Sequence, residues 1–197
     1  SNLDGFNYIS ETKFSDNRLL EFHISKHSKI IETIEMAPYK LENALVINRG
    51  VNIGGCFDDF LSDSKLSSDY WKYISGTSKI KRFQYFWEPT DGYMKLDLNI
   101  EKHLKSLGKT IALGNPIRYQ KPRLIIPESS QVITAAYCDE QYYTAYGLMI
   151  ATSCSDLFNI KFLCALLNSN LITYYALEKN ILRKGNKATP HVGTKGL

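Results

Sequence analysis

Apolar residues recur at helical spacing in three segments of the chain. Within residues 17–36 they fall mostly three, four or seven positions apart, which predicts an amphipathic helix that ends before Pro38. Residues 99–107 show the same spacing and are followed by Gly108, which favours a second helix closed by a glycine. Asp156 is a candidate N-cap for a third helix. The apolar face of that helix carries Leu157, Ile160, Leu163, Cys164, Leu167 and Leu171.

The middle of the chain carries shorter segments with the pattern of β-strands. Residues 80–87 alternate with a period of two, which is expected of a strand with one packed and one solvated face. Further strands are predicted at residues 45–48, 123–126, 131–137 and 145–152. Because the strands cluster in the middle and the helices at the ends, the sequence predicts an α+β fold.

Composition narrows the class of protein without identifying a function. A chain of 197 residues with 44% hydrophobic residues fits one globular domain, or one domain with an appendage. The net charge of +4 excludes a histone-like polycation, so any nucleic-acid footprint has to be local. The sequence has no apolar run of about 18 residues and no charged-then-apolar leader. The four cysteines form no C-x-x-C pair, so we expect reduced thiols in a cytoplasmic protein.

Basic and aromatic residues are interleaved between positions 79 and 123. The basic members are Lys79, Lys81, Arg82, Arg118, Lys121 and Arg123, and the aromatic members are Phe83, Tyr85, Trp87 and Tyr119. Arginine can bind guanine edges or phosphates through two hydrogen bonds, and aromatic rings can stack on bases. The alternative is a solvated charged strand face whose aromatic residues fill the core.

A second basic region occupies the tail, which carries no acidic residue from position 179 onward. Its basic residues are Lys179, Arg183, Lys184, Lys187 and Lys195. Such a run can neutralise several phosphates and give salt-dependent affinity for nucleic acid. A flexible solvated terminus is the alternative.

Three small groups have the composition of a metal or nuclease site but lack the rest of the pattern. They are His23 with His27, the carboxylates Asp58, Asp59 and Asp63, and Asp4 with residues 11–13. The histidines lack a third ligand, the carboxylates lack an acceptor motif, and the last group lacks a strand context. We therefore predict no catalytic and no metal site, and keep a metal-dependent nuclease as an alternative.

Four segments, taken in order, resemble the TaqI-like C-terminal specificity domain of adenine DNA methyltransferases and type II restriction-modification enzymes. They are residues 46–55, 79–85, 120–126 and 165–171. In that family a strand leads into a glycine turn, followed by an Ile-x-Arg-Tyr strand, a Lys-Pro-Arg/Lys-Ile strand and a Leu-Leu-Asn-Ser helix. This chain has Phe83 where the family usually has tyrosine, and Gly54 where threonine is common. The resemblance runs from about residue 19 to residue 197.

The resemblance implies a curved, mostly antiparallel central sheet with flanking helices at both ends. Residues 1–40 would form a helical connector, and residues 41–197 the recognition domain of a longer polypeptide. The implied function is to recognise double-stranded DNA and position it for adenine methylation or cleavage by other domains. S-adenosylmethionine, and Mg²⁺ if the parent enzyme cuts DNA, would bind in those domains, and we expect no cofactor in this chain. The partners would be DNA and the methyltransferase domain of the same polypeptide.

The candidate DNA-contacting residues match or adjoin the family segments and the basic tail. They are Arg49, Asn52, Lys79, Lys81, Arg82, Tyr85, Arg118, Tyr119, Lys121, Arg123, Arg183, Lys184, Lys187 and His191. The glycine turn of residues 49–55 lacks the Gly-Lys-Ser/Thr and G-x-G-x-x-G patterns, so nucleotide binding there is not expected. A protein-interaction module, with the first and last helices as partner surfaces, remains the other alternative.

Overall fold

The computed structural model describes residues 28–179, 181 and 182. Its α-helices are α1 (Ser28–Glu35), α2 (Phe57–Phe60), α3 (Leu98–Ser106), α4 (Ile160–Leu167) and α5 (Asn170–Glu178). Its strands are β1 (Leu45–Arg49), β2 (Leu61–Ser62), β3 (Trp71–Ile74), β4 (Ile80–Lys81), β5 (Gln84–Tyr85), β6 (Tyr93–Met94), β7 (Arg123–Pro127), β8 (Ala136–Cys138), β9 (Tyr142–Thr144) and β10 (Leu148–Ser153). Four 3-10 helices lie at Leu41–Asn43, Thr77–Lys79, Pro89–Asp91 and Pro116–Tyr119.

The larger sheet has the strand order β1, β10, β7, β8, with every pair antiparallel. All five residues of β7 are buried, because the strand is covered on both faces. Leu124 and Ile126 pack on one face with Leu163 and Leu167 of α4. Ile125 points to the opposite face, as the alternation of side chains along a strand requires.

The smaller sheet has the order β2, β6, β3, β9, and its β3–β9 pair is parallel. Aromatic residues dominate its core. The ring of Tyr143 stacks on Trp71, with the centroids 4.8 Å apart, and meets Tyr119 edge to face at 4.9 Å. Phe60 and Met94 are fully buried in the same cluster. This packing fixes the end of β9, which leads directly into the turn before β10.

Strands β4 and β5 form a separate two-stranded hairpin, in which Ile80 pairs with Tyr85 and Lys81 with Gln84. The single strand predicted at residues 80–87 is therefore wrong. A period of two in sequence does not reveal a two-residue turn. The hairpin brings Ile80 and Tyr85 directly opposite each other, so both side chains share one face, whereas one continuous strand would place them on opposite faces. That shared face packs into a third cluster with Ile125 and Tyr142.

The predicted α+β class is confirmed, but the strands divide between two four-stranded sheets and a hairpin. The second predicted helix is α3, and three of the predicted strands match β1, β7 and β10 to within a few residues. Of the strand predicted at 131–137, only the end belongs to β8. The predicted boundary between residues 40 and 41 stays a prediction, and residues 17–27 of the predicted first helix lie outside the described residues.

The predicted last helix is two helices. Asn159, rather than Asp156, caps α4 by accepting a hydrogen bond from the Lys161 N–H. The hydroxyl of Ser169 then caps α5 by accepting from the Ile172 N–H at 3.2 Å. The two helices meet at an angle of 60°. In the described part of the chain no single helix is long and apolar enough to cross a membrane, although this bent pair together has the length and composition.

Candidate nucleic-acid interface

The hairpin tip is exposed, and it is the first of the predicted contact regions that the structure describes. Lys81, Arg82, Phe83 and Gln84 are all exposed there, with 57% of the Phe83 surface accessible. Two bonds fix the tip against the larger sheet and α5. The Phe83 N–H donates to the Ala135 carbonyl at 2.9 Å, and the Arg82 guanidinium donates to the Asn170 amide oxygen at 3.1 Å. The tip therefore presents two cations and one aromatic ring to solvent.

The base of the hairpin is held by an ion-pair cluster. The Lys79 ammonium lies 2.7 Å from a carboxylate oxygen of Glu88 and 3.1 Å from one of Asp91. Burial alone would raise the pKa of Asp91, but hydrogen bonds from Ser75, the Glu88 N–H and Lys79 outweigh it and hold that pKa below its usual value. Because two carboxylates neutralise its charge, Lys79 stabilises the base of the hairpin and is less available to bind a phosphate.

Tyr85 packs its ring against the protein and keeps its hydroxyl near the surface. The ring meets Tyr142 edge to face at 5.2 Å, and the hydroxyl donates to Glu140 at 2.8 Å. Burial is the main cause that raises the pKa of the Tyr85 phenol above its ordinary value. The hydroxyl is already engaged, so a DNA contact at this residue would have to displace the Glu140 carboxylate.

Two of the predicted contact residues, Arg123 and Tyr119, lie in the interior, and that part of the prediction is corrected. Arg123 is 0% exposed and Tyr119 is 1% exposed. The Arg123 guanidinium donates to four backbone carbonyls, those of Tyr119 (3.0 Å), Lys121 (3.2 Å), Glu140 (2.8 Å) and Tyr142 (2.9 Å). In this conformation the side chain cannot reach a DNA groove. It instead ties the segment before β7 to the segment between β8 and β9.

Arg118 is half-buried and is directed at its own loop. Its guanidinium donates to the Leu113 carbonyl at 2.8 Å and lies 5.1 Å from the centre of the Tyr119 ring.

Lys121, in contrast to Arg118, is exposed and lines an open cleft of about 580 Å³ next to the start of α4. Lys161, which sequence reasoning did not select, lines the same cleft with its ammonium 4.7 Å from the centre of the Tyr137 ring.

The glycine turn after β1 is closed by its own polar side chains. The Asn52 amide oxygen accepts a hydrogen bond from the Gly54 N–H at 3.0 Å. The Arg49 guanidinium binds the Glu128 carboxylate and lies 4.7 Å from the centre of the exposed Tyr146 ring. A DNA phosphate would therefore compete with Glu128 for Arg49.

Gly50, in the same turn, lies against the backbone of the β9–β10 connection. Its N–H donates to the Leu148 carbonyl at 2.7 Å, and the next N–H, of Val51, donates to Thr144 at 2.8 Å. A Cβ atom at position 50 would lie 2.1 Å from the Ala145 carbonyl oxygen. The close approach of the two segments thus requires a residue without a side chain.

The Leu-Leu-Asn-Ser segment builds the junction between α4 and α5. Asn168 is 4% exposed, and its amide both accepts from the Ala135 N–H at 3.0 Å and donates to the Ala135 carbonyl at 2.8 Å. That same carbonyl accepts the Phe83 N–H. The helix junction and the hairpin tip are therefore joined through the single residue Ala135.

The predicted tail contacts Arg183, Lys184, Lys187 and His191 lie outside the described residues, as do His23, His27 and Asp4. Lys179, the first residue of the basic tail, pairs with Glu35 of α1 at 2.7 Å. Within residues 28–179, 181 and 182, no three His, Cys, Asp or Glu side chains come together where they could hold a metal ion.

In a comparison with protein families, residues 67–197 match the family described as the TaqI-like C-terminal specificity domain. The match covers more than half of the chain and includes three of the four segments that carry the resemblance. The fourth, residues 46–55, lies before its start. No curated protein matches the chain.

Proposed function

Because the chain belongs to the family of TaqI-like C-terminal specificity domains, and is thus a DNA specificity domain, we propose that it selects a short duplex sequence for adenine methylation or cleavage. The catalytic steps would be carried out by a methyltransferase domain outside these residues. The chain has no Asn/Asp-Pro-Pro-Tyr/Phe motif to hold a flipped adenine. S-adenosylmethionine, and Mg²⁺ if the parent enzyme cuts DNA, would bind in that other part of the protein.

The observation that supports this proposal best is the exposed, anchored hairpin tip within the matched residues. Arg82 is the candidate for base-edge contact, because its partner Asn170 is neutral and can be exchanged for a guanine at little electrostatic cost. Lys81 and Lys121, both exposed, are candidates for phosphate contacts. Lys161 joins them because it shares a cleft with Lys121.

The remaining predicted contacts form two groups, those engaged inside the protein and those outside the described residues. Arg49, Asn52, Lys79, Tyr85 and Arg118 are engaged inside the protein, so a DNA contact by any of them requires exchange of a partner. Arg183, Lys184 and Lys187 remain proposed phosphate contacts on grounds of charge, and His191 remains a proposed contact on the family resemblance.

The proposal is tested by selecting binders of the purified chain from a randomised duplex library and sequencing them. Fluorescence anisotropy on the enriched duplexes, at several salt concentrations, then gives the affinity and its salt dependence. We expect a short enriched motif and a Kd that rises with salt. A folded chain that binds no duplex at low salt would refute the proposal and favour the protein-interaction alternative. Cleavage of plasmid in the presence of Mg²⁺ would favour the nuclease alternative.

Alanine at Lys81 and at Arg82 is expected to weaken DNA binding in different ways. For Lys81→Ala, loss of a phosphate contact should weaken binding to all sequences and reduce the slope of log Kd against log salt by about 1. For Arg82→Ala, loss of a base contact should cost about 1–3 kcal/mol on the selected sequence and relax the preference at one position.

Lys102→Ala is the matched control, since Lys102 is an exposed lysine on α3, which packs against a different core cluster. Its affinity and salt slope should equal those of the unaltered chain. Equal effects of all three substitutions would mean that the hairpin contributes only general positive charge.

A further inference from the structure

Phe83 adopts a backbone conformation that bulky residues rarely adopt. Its φ is +67°, and among the residues that the structure describes it is the only one other than glycine with a positive φ. It is the second residue of a two-residue turn, a position that type II and type I′ turns usually give to glycine or asparagine. A phenylalanine there is strained, because its Cβ crowds the adjacent backbone.

The strain is not offset by packing within the protein. More than half of the Phe83 surface is exposed, so the ring gains little from burial. Asparagine or glycine would fit the turn with less strain and without an exposed ring. A strained, solvent-exposed aromatic residue is therefore unfavourable for the isolated fold, and such strain is concentrated at ligand clamps and binding sites.

The surrounding structure holds the backbone of Phe83 in place. The Phe83 N–H is bound to the Ala135 carbonyl, and both the N–H and the carbonyl of Ala135 are bound to the buried Asn168 side chain. On the other side, the Phe86 N–H donates to the Lys79 carbonyl at 2.9 Å and closes the hairpin. Because the backbone is already fixed, only the side-chain torsions of Phe83 have to be ordered when the ring binds.

The neighbours of the ring indicate what it binds. Lys81 and Arg82, both exposed, directly precede Phe83 at the tip, and Phe86, which is 46% exposed, follows the hairpin. An apolar ring next to two cations suits a ligand that has a flat apolar face within a few ångströms of negative charge. A nucleobase with its flanking phosphates has this combination, and an apolar protein surface does not.

We infer that Phe83 is an aromatic wedge that stacks on a nucleobase of bound duplex DNA, at a base step that is opened or kinked by the domain. This inference rests on the proposed function and adds a residue and a mode of contact to it. Apolar side chains that enter a base step in this way partly unstack it and bend the duplex. Lys81 and Arg82 would hold the phosphates or base edges beside that step.

The test compares Phe83→Asn with Phe83→Tyr in the whole chain, on the duplex found by library selection. Asparagine tolerates a positive φ, so Phe83→Asn should leave the thermal melting temperature unchanged or raise it. Its Kd should rise at least about tenfold, because a base–aromatic contact is lost. The salt slope should not change, since no phosphate contact is removed. Phe83→Tyr, which keeps the ring, should bind within about twofold of the unaltered chain.

A second measurement locates the ring on the DNA. Duplexes with 2-aminopurine at successive positions should brighten on binding at one base step, where the probe becomes unstacked, and Phe83→Asn should abolish that signal. Phe83→Asn binding as tightly as the unaltered chain would overturn the wedge while leaving the proposed function intact. A reduced salt slope in Phe83→Asn would also overturn it, because the ring would then act by positioning Lys81 or Arg82.

Two further outcomes are decisive. If Phe83→Asn and Phe83→Gly both lower the melting temperature, the ring has a structural role and the inference is wrong. If the unaltered chain binds no duplex, the proposed function fails, and the wedge fails with it.

Discussion

Arg123→Ala is expected to lower the free energy of unfolding by about 3–5 kcal/mol, the largest effect of any substitution considered for this chain. The guanidinium donates to four buried or partly buried carbonyls from two separate segments. Alanine would leave those carbonyls without donors and open a cavity against β7. Urea unfolding followed by the fluorescence of Trp71 and Trp87 measures the change.

Arg123→Lys and Lys121→Ala are the two control variants for Arg123→Ala. Lysine keeps the charge, but a single ammonium cannot reproduce the forked geometry that reaches four carbonyls, so most of the loss should remain. Lys121 is only two residues away but exposed, and its replacement should change stability by no more than about 0.5 kcal/mol. Unchanged stability of Arg123→Ala together with lost DNA affinity would contradict the buried assignment and restore Arg123 as a contact residue.

Gly50→Ala is expected to destabilise the fold by about 3 kcal/mol or more. The added Cβ would meet the Ala145 and Thr144 carbonyl oxygens at 2.1 and 2.5 Å, inside any van der Waals contact. These are backbone atoms, fixed by the hydrogen bonds that join the end of β1 to the β9–β10 connection, so they cannot rotate away as a side chain can. Thermal unfolding and urea titration should both report the loss.

The matched control is Gly76→Ala. A Cβ at position 76 has no atom within 4 Å, and the φ of Gly76 is extended, so the expected change is within about 0.5 kcal/mol. A Gly50→Ala variant as stable as Gly76→Ala would mean that β1 and the β9–β10 connection can separate without loss.

The spacing of apolar residues predicts secondary structure correctly where the conformation of a segment is determined by that segment alone. The spacing of apolar residues located α3, and the run of apolar residues after Arg123 located β7. It failed at the hairpin and at the junction of α4 and α5. At both places the sequence pattern continues while the backbone reverses or bends, at the turn residue Phe83 in one case and at Ser169 in the other.

Burial of charged residues could not be predicted from sequence. Lys121 and Arg123 are both basic, both follow Tyr119 within four positions and are only two positions apart, yet one is exposed and the other fully buried. The difference arises from carbonyls at residues 140 and 142, which the chain brings close only after folding. Selection by charge and neighbours therefore included a structural arginine among the candidate contacts and did not select Lys161, which lines the same cleft as Lys121.

Several residues in the segments that carry the family resemblance stabilise the fold. Arg123 bridges two segments, Asn168 joins the helix junction to Ala135, and Gly50 permits a close backbone approach. These roles explain how short segments can identify a domain without indicating the DNA sequence it binds. The exposed side chains of the hairpin tip, in the remaining segment, are the ones that we propose contact DNA.

Because the link through Ala135 uses main-chain atoms of the hairpin, the position of the tip depends little on which side chains the tip carries. Besides the bond from Arg82 to Asn170, the tip is positioned by the Phe83 N–H, the Ala135 peptide groups and the buried Asn168 amide. At position 83 only the main chain takes part, so any residue that has an N–H and tolerates a positive φ, such as asparagine or glycine, supplies the same bond. The side chains at positions 81 and 84, and within that limit at position 83, can therefore be changed without removing the bonds that position the tip, so under the proposed function these are the positions at which to alter DNA preference by design.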